Sequence, residues 1–113
     1  MTDSLPTLDV SATVLRLEGD AVLLDVREPG EWDAGHAPTA RHLPVGSVVA
    51  GLATIPRDAA VLVICRSGHR SAMVTEYLCA NGFDAWNVDG GMHAWAAAGQ
   101  PVVQDDGTSG FVA

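Results

Sequence analysis

Apolar residues along this chain gather in short runs separated by stretches with helical spacing, the pattern of strands alternating with helices. Val61-Leu62-Val63-Ile64 is a β-branched run of strand length and reads as a buried strand, and Ala21-Val22-Leu23-Leu24-Asp25-Val26 reads as another. Leu8-Asp9-Val10 predicts a short first strand, Ala40 to Leu43 a brief extended piece, and Phe83 to Val88 a last strand. Between them, Ser11 can cap a helix that runs to Glu18 and is ended by Gly19. Pro29 suits the first turn of a short helix carrying Glu31, Trp32 and Asp33, which Gly35 stops. A modest helix is expected around Ser47 to Ala53, and a longer one over Ser71 to Ala80, closed by Asn81-Gly82. Asp89-Gly90-Gly91 opens a final helix with Met92, Trp95, Ala96 and Gly99 on one face, and Gln100-Pro101 ends it.

Strands separated by helices need right-handed crossovers, so the pattern predicts an α/β fold with a mainly parallel sheet flanked by helices on both faces. Residues 1–103 read as a single domain, and the polar, Gly-containing stretch 104–113 as a mobile tail. Composition agrees: 113 residues, 48% hydrophobic and 18% charged, suit one globular domain and argue against wholesale disorder. No apolar stretch reaches the roughly 18 residues of a membrane span. Met1 to Pro6 has neither the basic start nor the apolar core of a signal peptide, so a cytoplasmic location is expected. A net charge of −8, with no lysine, disfavours nucleic acid or an anionic membrane as partner.

Against that acidic background, cationic residues crowd one place. Cys65-Arg66-Ser67-Gly68-His69-Arg70-Ser71 follows directly on the strand Val61–Ile64 and turns through Gly68 into a helix. A cysteine there faces converging loop N–H groups and the positive end of a helix dipole, both of which stabilise an anion. Its thiol is expected to ionise readily, as thiols in such settings do with pKa values of roughly 3.5–7.5. Cys65 therefore reads as a nucleophile rather than a packing residue. Cys79 falls in the following helix and forms no CxxC pair with Cys65, so it reads as a packing residue. His36, His42, His69 and His93 show no metal-ligand spacing, and neither a metal nor another cofactor is expected.

A second polar cluster, Asp25-Val26-Arg27-Glu28-Pro29-Gly30-Glu31-Trp32, also follows a strand end. A carboxylate directly behind a buried run needs a partner. Asp25 and Glu31 are candidates to hold either Arg27 or Arg70, as a network bracing the cysteine loop.

These segments together resemble the rhodanese-type sulfurtransferases. Asp25-Val26-Arg27-Glu28-Pro29, Glu31-Trp32, Gly35-His36, Pro38 and Ala40 resemble that family's N-terminal signature, and Cys65 to Ala72 its active-site loop. Asn81-Gly82-Phe83, Asp89-Gly90-Gly91, Trp95, Gly99 and Pro101 resemble its C-terminal signature. The resemblance runs from Leu8 to about Val102. Ala37, Thr39 and His42 depart from it, where a larger aliphatic, Gly and Asn are usual.

The resemblance implies a five-stranded, mainly parallel sheet and a sulfurtransferase without a cofactor. Cys65 would take sulfane sulfur from a small anionic donor such as thiosulfate. The persulfide would then pass to cyanide or to a protein or low-molecular-weight thiol. Arg66, Ser67, Gly68, His69, Arg70 and Ser71 would form the persulfide-binding loop, with Arg66 and His69 steering the donor. Asp25, Arg27, Glu31 and His36 would be structural supports. The alternative is a persulfide carrier or binding module dedicated to one protein partner. Phosphatase or arsenate reductase chemistry fits less well: the related cysteine phosphatases have five residues between Cys and Arg, whereas four separate Cys65 from Arg70. A thiol switch between Cys65 and Cys79 is a further alternative.

Overall fold

The computed structural model describes residues 5–113. Its five strands are β1 (Thr7–Leu8), β2 (Val22–Asp25), β3 (Arg41–His42), β4 (Val61–Ile64) and β5 (Ala85–Val88). They form one sheet in the order β1-β5-β4-β2-β3, and every neighbouring pair is parallel. The helices are α1 (Val10–Leu17), α2 (Pro29–Ala34), α3 (His69–Ala80) and α4 (Gly91–Ala97). This is the α/β architecture with a parallel sheet that the alternation of apolar runs predicts, with the five strands that the resemblance implies.

The central strand β4 is inaccessible along its whole length. Full burial of each such side chain is worth roughly 1.5–3 kcal/mol, so hydrophobic burial fixes its place more firmly than strand propensity does. The pleat sends Leu23, Leu62, Ile64 and Val88 to one face, against Val10 of α1 and Met92 and Trp95 of α4. Leu24, Val26, Val61, Val63 and Cys65 point to the other, where Val74 and Leu78 of α3 and the connection residues Val48 and Ile55 cover them.

The element ends differ from expectation in instructive ways. Asp9, not Ser11, caps α1: its carboxylate accepts from the Ala12 N–H at 2.8 Å, ending β1 two residues early. The helix expected around Ser47 to Ala53 is instead a pair of 3₁₀ turns, Val45–Ser47 and Leu52–Thr54. Gly46 and Gly51 weaken helix propagation there. A Cβ on Gly51 would also lie 2.9 Å from Leu43 Cδ1, so the chain is pressed against β3's exit. On α4 the buried contacts are Gly91, Met92 and Trp95, whereas Ala96 and Gly99 are exposed, because a seven-residue helix offers only one apolar turn to the sheet.

The segment after Val103, expected as a mobile tail, is a hydrogen-bonded hairpin packed on the domain. Val103 exchanges both backbone hydrogen bonds with His36 (2.8 and 2.9 Å), Gly110 N–H donates to Val102 O (2.9 Å), and Phe111 N–H donates to Ala34 O (3.0 Å). Its Gly and polar residues serve the turn rather than disorder. Gly107 sits at φ +86°, and Asp106 accepts from the Thr108 N–H and hydroxyl.

The chain leaves β2 toward the β3 edge and leaves β4 toward β5. The carboxyl ends of β2 and β4 therefore flank the point where the connections diverge, the usual place for a ligand crevice in an open α/β sheet.

Candidate functional site

Cys65 is the first residue beyond β4 and is only 1% exposed. The backbone turns at Gly68, whose φ of +111° only glycine adopts without strain, and α3 begins at once with His69, two residues earlier than the sequence pattern predicts. Its first-turn N–H groups are thereby built into the loop. Gly68 N–H donates to Cys65 Sγ at 3.1 Å, and the Ser71 hydroxyl lies 3.1 Å from the same sulfur. Burial pushes the thiol pKa up. The Ser71 hydroxyl and the backbone N–H groups of Ser71, Gly68 and Ser67 together outweigh that and hold it below its ordinary value.

What keeps the N–H groups turned inward is that the loop carbonyls are occupied elsewhere. Met92 N–H donates to Cys65 O (2.8 Å) and His93 N–H to Arg66 O (3.0 Å), so the start of α4 holds the loop from behind. This contact requires glycine: at φ +57° a Cβ on Gly91 would sit 2.4 Å from Cys65 O. The Asn87 side-chain amide donates to Gly68 O at 3.3 Å. Asn87 escapes a reading of the sequence as a site residue, although a polar residue between Trp86 and Val88 in a buried strand is a visible signal. Arg66, Ser67 and His69 are the exposed side chains of the loop.

The supporting carboxylates divide the two arginines between them. Asp25 takes Arg27: Nε and Nη2 reach its two oxygens at 3.0 and 2.8 Å, with both side chains fully buried. Arg27 Nη2 also donates to Gly35 O at 2.8 Å, fastening the end of α2. Glu31, on α2, takes Arg70 of the cysteine loop in a second fork; Nη1 meets Oε1 at 2.6 Å and Nη2 meets Oε2 at 2.8 Å. Arg70 thus turns to a brace rather than standing free at the loop.

His36 approaches Ala37 O through Nδ1 (3.0 Å) and Asp105 through Nε2 (2.9 Å). Its ring stacks on Trp32 at 3.6 Å, and His42 stacks near the same indole at 4.7 Å while its Nε2 lies 2.8 Å from Arg27 O. Cys79 packs at the edge of the core with its thiol 3.4 Å from Ala85 O, and both cysteines are free. Among the described residues no cluster of His, Cys, Asp or Glu could hold a metal ion, and no helix is long and apolar enough to cross a membrane.

The Arg70 guanidinium holds the Glu31 carboxyl at about 2, below its ordinary 4.5, against an opposing effect of burial. A carboxyl whose folded value lies below its unfolded one adds stability that is fully present above about 4.5 and is lost as pH falls toward 2. Acid unfolding of Glu31→Gln is therefore expected to be less steep over this window than that of the parent, while stability near neutrality is lower. Parallel thermal melts from pH 7 to 2 check this; identical slopes for the two proteins would remove the linkage.

A profile of the rhodanese-like domain matches residues 12–98, most of the chain. The chain belongs to the rhodanese-like domain family. A sulfurtransferase of Allochromatium vinosum is 38% identical over 89 residues, 78% of this chain and 83% of that protein. Among solved structures, the rhodanese-related protein of Thermoplasma volcanium superposes with a TM-score of 0.83 at 29% identity, over 88% of this chain and 99% of that one. The rhodanese-like domain protein of Staphylococcus aureus gives 0.75 at 35% identity, over 80% and 90%.

The matched span of this rhodanese domain contains the cysteine loop, both ion pairs and the Gly90-Gly91 turn, but not the C-terminal hairpin. Two of its three departures from the usual pattern are accommodated locally. Ala37 is fully buried in the α1/α4 face of the core, and His42 stacks on Trp32.

Proposed function

We propose that this rhodanese domain is a sulfurtransferase that carries sulfane sulfur as a persulfide on Cys65. The observation that carries the reading is a thiol at the centre of a tight loop, with the Gly68 N–H and the Ser71 hydroxyl each 3.1 Å from Sγ. The names of its relatives support the reaction class. In the first half-reaction the Cys65 thiolate attacks the outer sulfur of thiosulfate. A bond forms between Sγ and that sulfur, the old sulfur–sulfur bond breaks, and its electron pair leaves with sulfite. In the second half-reaction cyanide or a thiolate attacks the terminal sulfur of the persulfide. The electron pair of the Cys65 sulfur–sulfur bond returns to Sγ, and the thiolate is restored. Donors fixed before the reaction stabilise anionic sulfur in both resting and loaded states without reorganising.

The exposure of Arg66 on the loop, with His69 exposed three residues further on, supports a role for Arg66 in meeting the sulfonate end of thiosulfate. Arg66→Ala is expected to raise the KM for thiosulfate about fivefold, the worth of an exposed charge pair near 1 kcal/mol, while persulfide discharge is unchanged. Single-turnover rates for each half-reaction test this, and equal damage to both would exclude a steering role.

Intact-protein mass spectrometry before and after thiosulfate tests the reaction itself. The expected result is the gain of one sulfur atom, lost again when cyanide is added. Folded, reduced protein that gains no sulfur from thiosulfate would overturn thiosulfate as donor.

A further inference from the structure

The loop's brace depends on α2, and α2 cannot hold itself in place. At six residues it is far below the length at which a helix is stable alone. Its N-terminal end is set by Glu31, whose Oε1 accepts from Glu28 N–H at 3.0 Å as well as from Arg70. Its C-terminal end is gripped by the hairpin of residues 103–111. Phe111 N–H donates to Ala34 O, and the His36 and Val103 backbones are paired.

Two glycines make the contact close. A Cβ on Gly110 would lie 2.7 Å from both Ala34 O and Gly35 Cα, and a Cβ on Gly35 would lie 2.6 Å from Phe111 N and O. Asp105 adds a side-chain link through His36 to Trp32, which adjoins Glu31 on α2. From the hairpin to the cysteine, each contact hands on to the next: Gly110 and Asp105 to the end of α2, α2 to Glu31, Glu31 to Arg70, and Arg70 to the loop around Cys65.

We propose that the C-terminal hairpin is a positioning strap for the Cys65 loop, with Gly110 and Asp105 as its positioning residues. It lies beyond residues 12–98, the span matched by the family profile. Without the strap, α2 and its carboxylate can shift, and Arg70 no longer holds the loop donors at hydrogen-bonding distance from Sγ. The inference concerns the setting of the thiol and rests on the persulfide reading only where turnover is measured.

The test compares the parent with Gly110→Val and Asp105→Ala, each with native Glu31 and again with Glu31→Gln. Alkylation of Cys65 by iodoacetamide is followed against pH by peptide mass spectrometry, alongside thiocyanate formation from thiosulfate and cyanide. Gly110→Val is expected to raise the pH midpoint of Cys65 alkylation and to lower kcat about 3- to 30-fold. In the Glu31→Gln background the same change is expected to add less than about twofold, because the link is already cut. An unmoved midpoint in folded Gly110→Val, or a full-sized effect in the Glu31→Gln background, would overturn the proposal. If Gly110→Val does not fold, Asp105→Ala decides, since its side chain is 70% exposed and its removal leaves no cavity. A midpoint shift in the same direction supports the strap, and none overturns it. Alkylation shifts in a protein whose parent shows no thiocyanate formation would sustain the strap and defeat transfer from thiosulfate to cyanide as the reaction of this site.

Discussion

Cys65→Ser is expected to abolish sulfur uptake from thiosulfate while leaving the fold intact. A serine hydroxyl does not ionise near neutrality, so the same loop that favours a thiolate has no nucleophile to hold. Removing a covalent nucleophile costs on the order of 10⁶ in kcat where it has been separated from the rest of a site, which puts the residual rate below detection. The fold has little to lose. Ser71 Oγ and Gly68 N–H, both 3.1 Å from the sulfur, can satisfy the smaller hydroxyl, so a stability change of about 1 kcal/mol or less is expected. Mass spectrometry and thermal melting of the same sample separate the two effects. Sulfur transfer that persists in the variant would move the chemistry to Cys79, the other thiol in the chain.

The second large effect is structural and falls on Arg27. It is among the largest fully buried side chains, and Asp25 is as inaccessible as its partner. Arg27→Met would leave the Asp25 carboxylate buried without its counter-charge and would free Gly35 O at the end of α2. Breaking such a pair from one side costs about 3–5 kcal/mol, against a total stability of about 5–15 kcal/mol for a domain. A fall in Tm of more than about 10 °C is expected. The attraction is offset in part by the cost of burying both charges. Among the described residues the Arg27 Nη1 atom has no hydrogen-bond partner. Removing both charges in Asp25→Leu/Arg27→Met is therefore expected to be less damaging than Arg27→Met alone. Calorimetry of the three proteins checks the order. A double variant as unstable as the single one would show that shape, rather than charge pairing, sets the cost.

Both residues were open to a reading of the sequence, but their partners were not. Asp25 announces a need by following an apolar run, and Arg27, Glu31 and Arg70 are all visible as candidates. Choosing among them takes the register of β2 on β4, which sets Asp25 beside Ile64 and so brings the α2 turn over the cysteine loop. Glu31 then meets an arginine 39 positions away, while Asp25 closes on one two positions away. Chain separation holds no information about either distance. The C-terminal hairpin shows the same limit from the other side. Gly, Asp and Ser serve turns and disorder alike, and only the backbone pairing with His36 and the close approach of Gly110 to Gly35 separate the two.

The sequence by itself determined what short-range physics determines. Apolar periodicity placed β2, β4 and α3, Gly68 and Gly82 marked the turns, and Cys65 was set at the mouth of a strand–loop–helix whose N–H groups favour an anion. Only the tertiary structure decided what depends on packing across the sheet: Asp25 with Arg27, Glu31 with Arg70, the α4 turn behind the loop, and the hairpin on α2. Burial and backbone conformation are written in neighbouring residues, whereas the partner of a buried charge is chosen by whichever elements the core brings within about 3 Å.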